Sequence, residues 1–304
     1  LTKRTEEEIQ NICNDYKSGL SLDNLIKKYK ISGKTLNKLL SSKNIIKRTP
    51  SEINRVSSRK YPINEHALDD MHLVKNMWFL GWFLSDGCLK TYRNSYTLSF
   101  GLHQKDKVVL HHISNIFYTD KENHVHLNTV KNVKRKKEYL QANLNINSYL
   151  LGKKLKEIGI HERKSLNSEY PKIIKDLPID QQYAFIWGIY EGDGGLYFSK
   201  RQHKTKQDYL RAQIKICGTK DVCDNIAYII KNHLNINSPV YNQLNICILN
   251  INNNKQVRKF LDWIYQDVNS GAADYFLPRK YERYLDLCKY IDEGIMPEKL
   301  TYDK

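Results

Sequence analysis

The chain has 304 residues, 40% of them hydrophobic, which suits more than one compact unit or one unit with an internal repeat. Its 49 lysines and arginines against 33 acidic residues leave a formal charge of +16, which excludes a self-solvating acidic chain and points to a polyanionic partner. The longest apolar run, Met77 to Leu84, is far shorter than the ~20 residues a bilayer span needs, so an integral helical membrane protein is excluded.

The first residues, LTKRTEEEIQ, lack the basic-then-apolar pattern of a secretory signal and are too acidic for a transit peptide. The expectation is a chain that stays where it is made, in a bacterial or phage-infected cytoplasm or an organelle matrix. Six scattered cysteines show no CxxC and no histidine at zinc-ligand spacing, and are expected to be reduced and mostly buried. Adjacent His111 and His112 diverge on a helix, and His124 and His126 alternate on a strand, so neither pair is expected to hold a metal.

Residues 1–47 have the periodicity of three short helices. Glu6–Lys17 places Ile9, Ile12, Cys13 and Tyr16 on one face and stops at Gly19. Ser21 caps a second helix with Leu22, Leu25, Ile26 and Tyr29 inward, and Ser32 caps a third with Leu36, Leu39 and Leu40 inward. This order, with a tight turn at Lys30-Ile31, predicts a helix-turn-helix DNA-binding module. Lys34, Thr35, Asn37 and Lys38 lie on the outer face of its last helix, where they suit phosphates and base edges. From 48 to 70 the periodicity disappears and prolines frame a basic stretch, predicting a linker whose cations follow a phosphate backbone.

The remainder repeats itself. FLGWFLSDG at Phe79–Gly87 returns as IWGIYEGDG at Ile186–Gly194, and LNINSYLLGKKLKEIG is echoed later by ILNINNNKQVRKFLDWIY. Two halves are expected, 71–176 and 177–304. Each opens with a hydrophobic helix bearing small residues four apart, Gly81/Ser85 and Gly188/Gly192, which make a flat strip for close helix packing. Packing through those strips would set Asp86 and Asp193 side by side. A carboxylate at a helix carboxyl end opposes the macrodipole, and two together repel, so the pair predicts a bound divalent cation, with Mg²⁺ suited to hard oxygen ligands and water.

Alternating segments follow each helix. Leu98, Phe100 and Leu102 are set against Thr97, Ser99 and His103; Leu140, Ala142, Leu144 and Ile146 against Gln141, Asn143 and Asn145; and Leu210, Ala212, Ile214 and Ile216 against Arg211, Gln213 and Lys215. The polar sides carry residue types that read major-groove base edges. Basic hairpin tips, with Lys131, Lys134, Arg135, Lys136 and Lys137 in one half and Lys200, Arg201, Lys204 and Lys206 in the other, suit phosphates on either side of a duplex. Amphipathic helices near Lys105–Phe117, Lys220–Leu234 and Lys255–Tyr265 are expected to cover the apolar faces.

The two FLGWFLSDG-type segments resemble the paired motif helices of the LAGLIDADG homing endonucleases, over roughly Met71 to the end. The resemblance implies an α+β fold of two pseudo-symmetric αββαββα halves forming a DNA-binding saddle, preceded here by the all-α module. It implies a monomer that needs no protein partner and takes a long asymmetric double-stranded DNA target. It further implies that Asp86 and Asp193 hold Mg²⁺, with Mn²⁺ or Ca²⁺ as possible substitutes, and that each strand is hydrolysed to leave short 3′ overhangs. HERKSLNSEYPKII and YFLPRKYERY resemble the family's basic segments, making Lys164 and Lys280 the implied active-site lysines. Glu191, whose counterpart is Leu84, is expected to be structural or to support the ligands from behind. Trp82, Phe83 and Tyr190 are bulkier than the motif usually carries. No intein splice-junction residues are visible, so a free-standing or intron-encoded protein is expected. The alternatives are a catalytically inactive DNA-binding transcription regulator on the same fold, whose relatives usually lose the acids, and an intron maturase that binds RNA.

Overall fold

The computed structural model describes residues 4–57, 59–92, 95–132, 137–164, 167–202 and 208–300. The chain opens with α1 (Glu6–Lys17), α2 (Leu22–Tyr29) and α3 (Gly33–Ser42), capped by the side chains of Thr5, Ser21 and Ser32. Lys30 ends α2 in the left-handed region, which turns the chain sharply into α3. Ile12, Tyr16, Leu25, Ile31, Leu36 and Leu40 form a small core of their own.

Residues 48–70 are not the featureless linker expected from the sequence. Pro50–Ser57 forms α4, where Glu52 accepts from the Thr49 amide and hydroxyl at the helix start. Ile63 pairs with Tyr118 in an isolated bridge, and Leu68 and Met71 are buried in the main core, so that core begins before Met71. Arg48 donates to the Tyr16 and Leu20 carbonyls and lies 4.3 Å from the centre of the Tyr16 ring. Arg59 pairs at 2.6 Å with buried Glu65, which also accepts from Ser148 at 2.5 Å. The polar composition hid this packing because its apolar anchors are few and aperiodic, and these two arginines bind protein.

Two repeats follow, each in the order αββαββα. The first is α5 (Val74–Ser85), β1 (Gly87–Tyr92), β2 (Ser95–His103), α6 (Lys107–Phe117), β3 (His126–Asn132), β4 (Lys137–Asn147) and α7 (Tyr149–Ile158), with one 3-10 turn at Gln104–Asp106. After the short α8 (Lys172–Lys175) come α9 (Ile179–Asp193), β5 (Gly194–Arg201), β6 (Tyr209–Gly218), α10 (Lys220–Leu234), β7 (Val240–Gln243), β8 (Ile246–Asn252) and α11 (Asn254–Ile264). The short α12 (Gln266–Asn269) and the long α13 (Pro278–Glu293) close the chain. The sheets are antiparallel with matching orders, β1-β2-β4-β3 and β5-β6-β8-β7.

The alternation read from sequence sets the sheet faces. Leu98, Phe100, Ala142, Leu144 and Ile146 in one sheet, and Leu210, Ala212, Ile214 and Ile216 in the other, are buried in a core that both halves share. Leu140 keeps its expected face but is exposed, where it pairs with Thr129 toward the outer part of the β3–β4 hairpin. Among the described residues, no helix is long and apolar enough to cross a membrane.

Candidate active site and nucleic-acid interface

The helices α5 and α9 are buried almost all round and pack on each other through their small residues. A methyl group at Gly81 would collide with the Phe185 carbonyl oxygen, and one at Gly188 with that of Trp78. A methyl at Gly192 would meet the Ser85 side chain and come within 3.2 Å of Asp86 Oδ2. Glycine therefore lets the two backbones touch, and the contact brings the carboxyl ends of both helices together.

Asp86 caps α5, and Asp193 is the last residue of α9. Both side chains are exposed to solvent on one side and crowded by protein on the others. Partial desolvation raises both above the ordinary carboxylate range, Asp193 to about 6, with the negative charge of Asp86 the next cause there. Lys164 and Lys280 pull both values the other way.

Each helix end also receives one of the two expected lysines. Lys164 Nζ donates to the Leu84 and Ser85 carbonyls at 2.6 and 2.7 Å. Lys280 Nζ, 2% exposed, donates to the carbonyls of Tyr190, Glu191 and Gly194 at 2.8, 2.6 and 2.5 Å, with Gly192 at 3.3 Å. Burial lowers both lysines, Lys280 to about 7, against the attraction of the nearby acids. Sequence reasoning located both residues, but the ammonium groups are committed to backbone oxygens. They place positive charge where the helix dipoles and the aspartates place negative charge.

Glu191 is wholly buried beneath this pair. Its Oε2 accepts from the indole nitrogens of Trp78 at 2.9 Å and Trp82 at 3.0 Å, and its Oε1 from the Leu277 amide at 2.8 Å and the Tyr265 hydroxyl at 3.4 Å. Burial raises its pKa. It ties α5, α9 and the approach to α13 together, in keeping with the structural role expected for it.

Two further ties were not legible in the sequence. Arg279 donates to both carboxylate oxygens of Asp106, at 2.8 and 3.0 Å, joining the start of α13 to the turn after β2. Across the pseudo-symmetry, Asp221 accepts from the Tyr170 amide at 2.7 Å, and the Thr219 hydroxyl donates to the Ser168 carbonyl at 2.5 Å. Each lysine-bearing segment is thus anchored by the opposite half.

The site fits a hard divalent cation. Two adjacent carboxylates offer oxygen ligands and open to solvent, while among the described residues no group of three His, Cys, Asp or Glu is assembled. The remaining coordination would fall to water and substrate oxygen, an arrangement that Mg²⁺ favours.

The polar sheet faces are ordered by amides and hydroxyls. Thr97 donates to Asn147 at 2.6 Å, Ser99 to Asn145 at 2.8 Å, and the Gln213 amide to Asn250 and Asn252, both at 2.8 Å. Ser99 is buried and orients Asn145; it does not present its hydroxyl outward as expected. Gln141 and Asn143 are half-buried, Asn145, His103 and Arg211 are exposed, and Lys215 lies 5.6 Å from the centre of the Tyr197 ring. The His103 ring stacks on Tyr139. Lys200, paired with Asp208 at 3.0 Å, and Arg201 are exposed near their hairpin tip. Lys134, Arg135, Lys136, Lys204 and Lys206 lie outside the described residues. On α3, Lys34, Asn37 and Lys38 are exposed, whereas Thr35 is half-buried with its hydroxyl 2.8 Å from that of Ser32.

No family model matches the sequence, and no curated protein matches it. Among solved structures, many that resemble it are LAGLIDADG homing endonucleases. The homing endonuclease I-WcaI bound to its DNA recognition sequence is 14% identical, with a TM-score of 0.48 over 69% of this chain and 85% of that one. The LAGLIDADG meganuclease I-AabMI bound to uncleaved DNA is 15% identical, with a TM-score of 0.46 over 71% and 90%. The N-terminal LAGLIDADG domain of DUF199/WhiA is 14% identical, with a TM-score of 0.37 over 66% and 88%.

Proposed function

We propose that the protein is a Mg²⁺-dependent, site-specific double-strand DNA endonuclease of the homing type, acting as a monomer on an asymmetric target and leaving short 3′ overhangs. The observation that carries this reading is the pairing of Asp86 and Asp193 at the touching ends of α5 and α9, between two sheets with polar outer faces. Placing two like charges against two helix dipoles costs stability, and a cation at a phosphate offsets that cost. Asp86 and Asp193 would hold it. When bound, it supplies Lewis-acid stabilisation of charge developing on the phosphate oxygens.

The chain's own residues do the rest. Lys164 and Lys280 hold the helix ends and favour the ionised form of both aspartates. The outer faces of both sheets, with the basic tips, orient the duplex; the halves differ in sequence, so the target is asymmetric. The three-helix module acts as a helix-turn-helix that lays α3 on DNA beyond the saddle.

Selection of cleaved duplexes from a randomised library in Mg²⁺ tests the reading. A single enriched site, cut by wild type and bound but not cut by Asp86→Asn plus Asp193→Asn, supports it. Tight binding of one duplex with no cutting by wild type replaces it with a regulator on the same fold. Tight, selective binding of a folded intron RNA with weak DNA binding replaces it with a maturase. Removal of residues 1–47 should shorten one side of the protected region; an unchanged footprint would remove the module's proposed role.

A further inference from the structure

The two outer sheet faces differ at equivalent places. In the first sheet, the outer residues of β3 and β4 are mainly polar: Asn128 pairs with Gln141, and His126 with Asn143. In the second sheet the equivalent strands turn apolar outward. Directly paired residues share a face, so Tyr241 lies beside Ile248, and Gln243 beside Ile246. Cys217 of β6 pairs with Ile248 and extends the same surface. Cys247, Leu249 and Ile251 point into the core, which sets Ile246 and Ile248 on the same face as Asn250 and Asn252.

Tyr241 is 54% exposed, Ile246 39%, and Leu244 at the hairpin tip 99%. The hairpin sequence VYNQLNICILN carries no charge, unlike the basic tips of β3–β4 and β5–β6. The patch is continuous with Lys215 and Gln213, which pair with Asn250 and Asn252 on that face. Burying apolar surface against a nucleic acid needs an apolar group there, and in the major groove that group is the thymine C5 methyl.

We propose that Ile246, Ile248 and Tyr241 determine specificity by packing against thymine methyls in the half of the target that lies under the second sheet. This rests on the reading of the outer faces as the DNA interface. The first sheet, with Gln141, Asn143 and His126 at the equivalent positions, reads its half by hydrogen bonds. Leu244, at the tip, borders the patch.

The test uses the full chain and duplexes enriched by binding from a randomised library. Each thymine of the enriched site is replaced singly by deoxyuridine, which removes only the methyl. The expected result is a cluster of uracil-sensitive positions on one side of the site, each weakening wild type about fourfold, the worth of one buried methyl-sized group. The Ile246→Ala and Tyr241→Ala plus Ile248→Ala variants, checked by thermal melting, should lose that sensitivity while still binding the site. An enriched site at which uracil replacement leaves binding unchanged overturns the inference alone. Failure to enrich any duplex overturns the DNA interface and the inference with it. A chain that self-associates in sedimentation through this patch, and becomes monomeric as Ile246→Ala, overturns it in favour of a face-to-face contact between copies.

Discussion

Asp106 and Arg279 form a two-pronged ion pair that joins the turn after β2 in the first half to the start of α13 in the second. Arg279 directly precedes Lys280, so the pair holds in place the segment whose ammonium group organises the end of α9. Asp106→Ala should change stability by about 1 kcal/mol, since the Arg279 side chain is 44% exposed and solvent screens the pair. The expected consequence lies in strand coordination: nicked plasmid accumulates before linear product, because one half loses its tether. Conversion straight to linear product at the wild-type ratio would contradict the positioning role.

The aspartate pair predicts a pH and metal signature. The folded value of Asp193, raised to about 6, means that the folded chain keeps a proton the unfolded chain has released between about pH 4 and 6. Its stabilising contribution is full below the unfolded value and lost as pH rises through about 6. The metal-free protein should therefore lose stability across that window, and Asp193→Asn should flatten the dependence and raise Tm at pH 7.5. Millimolar Mg²⁺ should raise the Tm of wild type at pH 7.5, and not that of Asp86→Asn plus Asp193→Asn. Differential scanning fluorimetry across pH, with and without Mg²⁺, measures both effects.

Helix contact through glycine makes α5 and α9 intolerant of added bulk. Gly188→Ala pushes a methyl against the Trp78 carbonyl, where backbone, not a flexible side chain, must yield. A loss of about 3 kcal/mol is expected in urea unfolding. Ser85→Ala removes a hydroxyl whose bonds are long, 3.2 Å to the Gly81 carbonyl within its own helix and 3.4 Å to the Ile189 carbonyl of α9, and should cost less than about 1 kcal/mol.

Buried polar groups at this junction should be more sensitive than their distance from solvent suggests. Glu191 faces donors alone, two indole N–H groups, an amide and a hydroxyl. Glu191→Gln turns an NH₂ group toward two of them and should cost about 2 kcal/mol, with a shift in tryptophan emission as Trp78 and Trp82 lose their acceptor. Lys280→Met strands carbonyls of the α9 end and should cost about 3 kcal/mol. Chemical denaturation followed by fluorescence checks both.

Much of this protein was legible in its sequence because helix and strand periods and small-residue spacing are local properties. The caps at Ser21 and Ser32, the repeat, the alternating strands and the Gly81/Gly188 strip follow from side-chain size and spacing alone. So does the placement of Asp86 and Asp193 at two helix ends. What only the tertiary structure decided depends on groups distant in the chain. Lys164 and Lys280 reach the site, yet their N–H groups go to carbonyls whose positions exist only once the helix ends are packed. Ser99 and Leu140 keep their expected faces but not their expected exposure, because burial depends on what covers a strand, which its own alternation does not encode. The anchoring of residues 48–70 and the crossing ties of Asp106 and Asp221 likewise join residues with no local pattern. Periodicity states which way a side chain points; only the assembled fold states what it meets there.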